Sequence, residues 1–188
     1  MGYRDPMTLR LTLIALLLSP VLAWSQTALR PDKVSPAISG LEAGIVCAPV
    51  TVGSAPAPDT LAGATHIIDE EPPFVSVSRR VPAVIGIGFG VKSTASTKSG
   101  IDDVLVVITH PPMGADQIRT QSFLTAISGI ESSLTFYQFD SDYELVPGLW
   151  QMAATKDGQP LFSAMFEVVA PQQAPQLAAA CGFEELLS

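Results

Sequence analysis

Apolar residues recur along most of this chain with a period of two, the spacing of a strand that buries one face. Ile85, Ile87, Phe89 and Val91 alternate with Gly86, Gly88 and Gly90. One face of that strand therefore carries side chains and the other carries none, which lets a second chain segment approach closely. Trp150, Met152 and Ala154 alternate with Leu149, Gln151 and Ala153. Phe162, Ala164, Phe166 and Val168 alternate with Leu161, Ser163, Met165 and Glu167. Asp157-Gly158 between the two runs is a strong turn dipeptide, so 149–168 predicts an antiparallel hairpin with its aromatic face toward a core. The unbroken run Val104–Ile108 predicts a central strand buried on both faces. It is expected to stop at His110-Pro111-Pro112, because proline donates nothing to a sheet ladder.

Shorter strands are expected at Leu41–Cys47, Ala64–Ile68, Phe74–Ser78 and Leu134–Phe139. Val50–Ala62 reads as a loop and Lys92–Gly100 as a turn. Ser122–Ile127 fits a strand or a helical turn, and a short helix is expected near Gln176–Ala180. With 16 Pro and 14 Gly distributed between short apolar runs, and no long amphipathic helix, the class is all-β. A sandwich or a barrel would both satisfy this pattern. Leu145-Val146-Pro147-Gly148-Leu149-Trp150 resembles the corner that feeds the penultimate strand of an antiparallel immunoglobulin-like β-sandwich, and this favours the sandwich. Tyr143 is placed to bond its hydroxyl to backbone at that corner.

The first 25 residues have a different pattern. Arg10 precedes the run Leu11–Leu18, Pro20 follows, and Ala23-Trp24-Ser25 offers small residues at a cleavage site. These are the marks of a secretory signal peptide, with cleavage expected before Gln26. The run is short for a membrane span, and no stable span is expected after cleavage. The organisation expected is a signal at 1–25, an arm at 26–40, a sandwich domain at 41–170 and a tail at 171–188. The location expected is the periplasm or the medium. In that oxidising space the two cysteines, Cys47 and Cys181, should pair and tie the tail to the first strand. Such a loop closure contributes about 4–5 kcal/mol in the chain-entropy picture. The net charge of -8 and the absence of a basic cluster beyond Arg79-Arg80 argue against nucleic-acid binding.

Several landmarks occur in an order that resembles an uncharacterised bacterial family, domain of unknown function 3859. They are Glu42-Ala43-Gly44-Ile45, Pro82 followed by Gly86-Ile87-Gly88-Phe89-Gly90, His110-Pro111-Pro112, Glu144-Leu145-Val146-Pro147-Gly148-Leu149-Trp150, and Phe166-Glu167-Val168. The resemblance spans most of Ala43–Val169. It implies an exported all-β domain and carries over no catalytic residues.

Chemistry-bearing residues are sparse. Gly86, Gly88 and Gly90 do not make a dinucleotide fingerprint, since the spacing fails and no helix pattern follows. No serine sits in a nucleophile elbow. The two histidines, His66 and His110, are the candidate bases. They are also candidate metal ligands, His110 with Met113 for copper and His66 with Asp69, Glu70 and Glu71. Asp140-Ser141-Asp142 lacks the rest of a calcium loop. No cofactor is expected. The leading expectation is a non-enzymatic envelope module that binds an unknown protein or ligand through a loop at 110–121, with His110, Pro111, Pro112, Met113 and Ile118 at its surface. The alternative is a periplasmic metal-binding protein (copper or calcium) or an enzyme using His110 or His66 with nearby acids.

Overall fold

The computed structural model describes residues 1–2 and 29–182. Apart from its first two residues, the expected signal segment lies outside the described residues. Two antiparallel sheets face each other across one core, as the period-two pattern requires. The larger sheet has the order β1-β11-β10-β7-β8. Its strands are β1 (Lys33–Val34), β7 (Ile101–Met113), β8 (Ile118–Ile127), β10 (Gly148–Lys156) and β11 (Gln159–Val169), with β5 (Arg80–Pro82) paired in parallel to the far end of β11. The smaller sheet has the order β2-β6-β9, formed by β2 (Ile38–Cys47), β6 (Ile87–Ala95) and β9 (Ser133–Gln138). A separate hairpin joins β3 (Thr51–Pro56) to β4 (Ala64–Ile68).

The 149–168 hairpin forms as expected, with Trp150 opposite Phe166 and Met152 opposite Ala164. Trp150, Met152, Phe89, Phe139 and Phe166 are all fully buried. Phe89 from the small sheet meets Phe166 at 4.7 Å and Trp150 at 5.6 Å between ring centroids, so these rings join the two layers. Full burial of one such side chain stabilises by roughly 2–3 kcal/mol.

Five local expectations need correction. Val104, Val106 and Ile108 are buried, but Leu105 is 40% exposed, so β7 has one core face and one outward face. β7 also runs through His110-Pro111-Pro112 to Met113, because the ladder to β8 shifts between Thr109 and Met113 and asks no donor of the prolines. Ile85 is exposed and precedes the strand, which begins at Ile87 and continues to Ala95. Part of the predicted loop 50–62 is strand β3, whose polar, mostly exposed residues gave no apolar alternation. Phe74–Ser78 makes only a bridge, Ser76 to Ile45.

The glycine face works as a contact surface. A Cβ on Gly90 would stand 2.2 Å from the Thr135 carbonyl, and one on Gly44 would meet the Ser76 carbonyl and the Phe74 ring. Phe74 lies over the sheet at Gly44, with Lys92 Nζ 5.1 Å from its ring centroid and ion-paired to Glu71.

The sheet begins ahead of the expected boundary at 41, since β1 pairs with β11 and β2 starts at Ile38. At the other end, helix α1 (Pro175–Ala180) brings Cys181 to Cys47, and the two form a disulfide with Cα atoms 5.3 Å apart.

Candidate functional site

Inward-facing positions of β7, β8 and β9 carry polar side chains where the alternation would place apolar ones. His110 continues the core face of Val104, Val106 and Ile108, Gln121 precedes Phe123 on the core face of β8, and Tyr137 on β9 lies between Thr135 and Phe139, which follows the strand. These three and Glu144 form one hydrogen-bonded chain. Tyr137 Oη donates to Glu144 Oε1 at 2.6 Å. Glu144 Oε2 accepts from the backbone N–H groups of Asp140 and Ser141 at 2.7 and 2.8 Å. The Gln121 amide donates toward His110 Nε2 at 3.3 Å and Tyr137 Oη at 3.4 Å, and its oxygen accepts from Leu61 N–H at 2.7 Å. His110 Nδ1 donates to the Pro111 carbonyl at 2.8 Å.

That last bond assigns the tautomer. With the proton on Nδ1, Nε2 is free to accept from Gln121, and the imidazole is neutral. Its ring stacks at 4.8 Å on Trp150. Burial pushes the His110 pKa below the ordinary 6.5, against the opposing pull of the Pro111 bond and the Glu144 charge. Burial also raises the Tyr137 pKa strongly, helped by the adjacent Glu144 carboxylate. A buried carboxylate is tolerated here because it accepts three donors.

Gln121, Tyr137 and Glu144 of this chain line the floor of a cleft of about 250 Å³, and His110 lies behind them. The cleft lies on the open side of the sandwich between β8 and β9, with Phe123 and Leu134 on its walls and the β3–β4 hairpin at its mouth. The hairpin is tied down at both ends. At its turn, Ser122 N–H donates to the Asp59 carbonyl and Leu61 N–H to Gln121. On β4, His66 Nε2 stands 2.6 Å from Asp140 Oδ2. Gln138 donates to the other Asp140 oxygen at 2.7 Å, while its own Oε1 is buried with no donor. No Lys or Arg lines the cleft.

The structure redistributes the residues singled out from sequence. His110, Pro111, Pro112, Met113 and Ile118 do not form an exposed loop. They belong to the paired strands β7 and β8, whose connection is the short turn 114–117, and His110 and Met113 are buried. Both His110 nitrogens are engaged and Met113 packs in the core, so the copper pairing has no free ligand there. His66 is bound to Asp140, and Glu71 to Lys92. Among the described residues no three His, Cys, Asp or Glu side chains converge as a ligand set.

The corner of Leu145, Pro147, Gly148 and Trp150 exists, but its anchors differ from the expectation. Trp150 Nε1 donates to the Val146 carbonyl at 3.1 Å. Gly148, at φ 138°, packs where a Cβ would strike Pro111. Tyr143 is 41% exposed, and the tyrosine hydroxyl buried beside the corner belongs to Tyr137. Gln121, Tyr137 and Glu144 were missed. Period two, carried back from Phe123 and from Phe139, puts the first two on core faces; Glu144 stands out only as the first residue of the family landmark that ends at Trp150.

Comparison with solved structures finds an immunoglobulin-like protein from Pseudomonas aeruginosa, 17% identical, covering 74% of this chain and 98% of that one at a TM-score of 0.49. Comparison with curated proteins returns no match. Among the described residues no helix is long and apolar enough to cross a membrane. The profile of the family described as a domain of unknown function, DUF3859, matches residues 34–168, from β1 to the end of β11, and the chain belongs to that family.

Proposed function

We propose that this protein is an exported, non-enzymatic binding module of the cell envelope, and that its binding site is the cleft between β8 and β9 beneath the β3–β4 hairpin. The observation that carries the reading is the state of the polar groups on its floor. Tyr137, Gln121 and Glu144 on the floor, with His110 buried behind them, are committed to one another and to backbone. A general base needs a lone pair directed at substrate, and a nucleophile needs such a base beside it. Here the buried titratable groups hold the walls in place and leave recognition to the side chains nearer the mouth. Export is supported by the secretory pattern of residues 1–25 and by the Cys47–Cys181 bond, which suits an oxidising compartment.

Site-specific photo-crosslinking in intact cells tests this. A photoreactive residue at Leu124 or Ala62, both exposed at the cleft, should yield the same discrete adduct, and one at exposed Val77 should not. Adducts from Val77 alone, or none from either cleft position, would overturn the assignment of the site.

A further inference from the structure

The geometry points to an ammonium or guanidinium group on a short apolar stem as the ligand of this cleft, bound by Asp140 in place of His66. The inference rests on the proposed reading of the cleft as the binding site and names its ligand chemistry.

Charge comes first. Two carboxylates, Asp140 and Glu144, line the cleft, with no Lys or Arg. Glu144 is buried and already accepts three hydrogen bonds, so Asp140, whose side chain is 43% exposed, is the carboxylate open to an incoming cation. Beside it, the buried Gln138 Oε1 lacks a donor, although the amide nitrogen of the same side chain serves Asp140. An ammonium carries three donors and a guanidinium five, and neither accepts. Such a group matches a site rich in acceptors. The walls supplied by Phe123, Leu134 and Phe136 suit a methylene stem that follows the charged head inward. A volume of about 250 Å³ falls just below the usual range for drug-sized ligands and suits one side-chain-sized group.

His66 is the present partner of Asp140, and it belongs to a movable element. β3 and β4 hydrogen-bond as strands only to each other, and most of their residues are exposed or half-exposed. An element with so little apolar burial opens at low cost. One carboxylate thus serves two partners in turn: the imidazole nitrogen of His66 when the hairpin is closed, and the cationic ligand when it lifts. The ligand competes with the latch, so removing His66 should tighten binding.

Nuclear magnetic resonance titration of the purified protein with n-butylamine and with n-butanol separates the charge from the stem. Acetyl-Gly-Lys-Gly-amide and its norleucine counterpart do the same for a peptide-borne cation. Saturable shifts at Thr125, Gln138 and Asp140 are expected with the amine, the lysine peptide or both, and which of them binds more tightly separates a free amine from a protein side chain. Asp140→Asn and Asp140→Ser should each weaken binding by about tenfold, the loss of a charge-assisted hydrogen bond. His66→Gln should strengthen it. Unshifted Leu161–Ala164 amides, on β11 away from the cleft, show that the variants fold.

Equal shifts from the neutral probes would overturn the cation assignment and leave the cleft standing as a binding site. Weakening in His66→Gln would show that His66 supports the site and does not compete for it. No shift at the cleft with any probe would overturn the inference, and the in-cell crosslinking then decides separately whether the cleft binds another partner.

Discussion

At the scale of single residues, the polar chain in the sandwich interior gives the sharpest expectations. Glu144→Ala would leave Tyr137 Oη and the Asp140 and Ser141 N–H groups without their acceptor. Urea unfolding should then show a loss of about 2–4 kcal/mol, the usual cost of orphaning buried donors. His110 sets a pH dependence. Its pKa is about 6.5 once the chain unfolds and lower in the fold, so below 6.5 the unfolded state takes up a proton that the native state refuses. Stability is therefore complete above that pH and declines as pH falls from 6.5 toward the folded pKa. Urea midpoints measured between pH 5 and 7.5 should show the decline, and His110→Gln should reduce it. A slope unchanged in that variant would mean that another group carries it.

At the scale of elements, the glycines of β6 and the hairpins separate two kinds of constraint. Gly90→Ala would drive a methyl into the Thr135 carbonyl, so the β6–β9 pairing must shift. We expect a loss of more than about 2 kcal/mol or failure to fold. Gly40→Ala, with nothing nearer than 3.9 Å, should be close to neutral. Thermal unfolding of both distinguishes close approach from general glycine intolerance. The same elements show what the sequence could convey. The hairpin 148–169 was legible because its alternation and its Asp-Gly turn agree. β3 was not, since Thr51–Pro56 packs little and so displays no apolar period. The end of β7 was misjudged because Pro111 and Pro112 ordinarily stop a strand, and only the bulge at Thr109–Met113 lets them stay. The cleft lies between β8 and β9, which are not hydrogen-bonded to each other, and no local pattern could announce it.

At the scale of the whole molecule, one disulfide and one aromatic cluster hold the described domain together. Cys47–Cys181 closes a loop with a sequence separation of 134. In the chain-entropy picture that bond contributes about 5 kcal/mol, and a Cys47→Ser/Cys181→Ser double variant should lose a large part of it in urea unfolding. The aromatic contacts of Phe89 with Trp150 and Phe166 then make the two sheets unfold together. The β3–β4 hairpin stands outside that cooperative unit. It is fastened by His66–Asp140, by Leu61–Gln121 and by Asp59–Ser122, and its apolar burial is confined to Ala57 and Leu61 in the turn. In the binding mode proposed for the cleft, this cover moves while the sandwich stays intact.

Native-state hydrogen exchange measures that motion directly. The strand amides of 51–68 should exchange through a local opening insensitive to low urea concentrations, while those of Gly88–Val91 and Trp150–Ala154 exchange only through global unfolding. Exchange of 51–68 at the same rate and with the same urea dependence as the core strands would contradict the account, because the cleft would then have no cover that opens by itself.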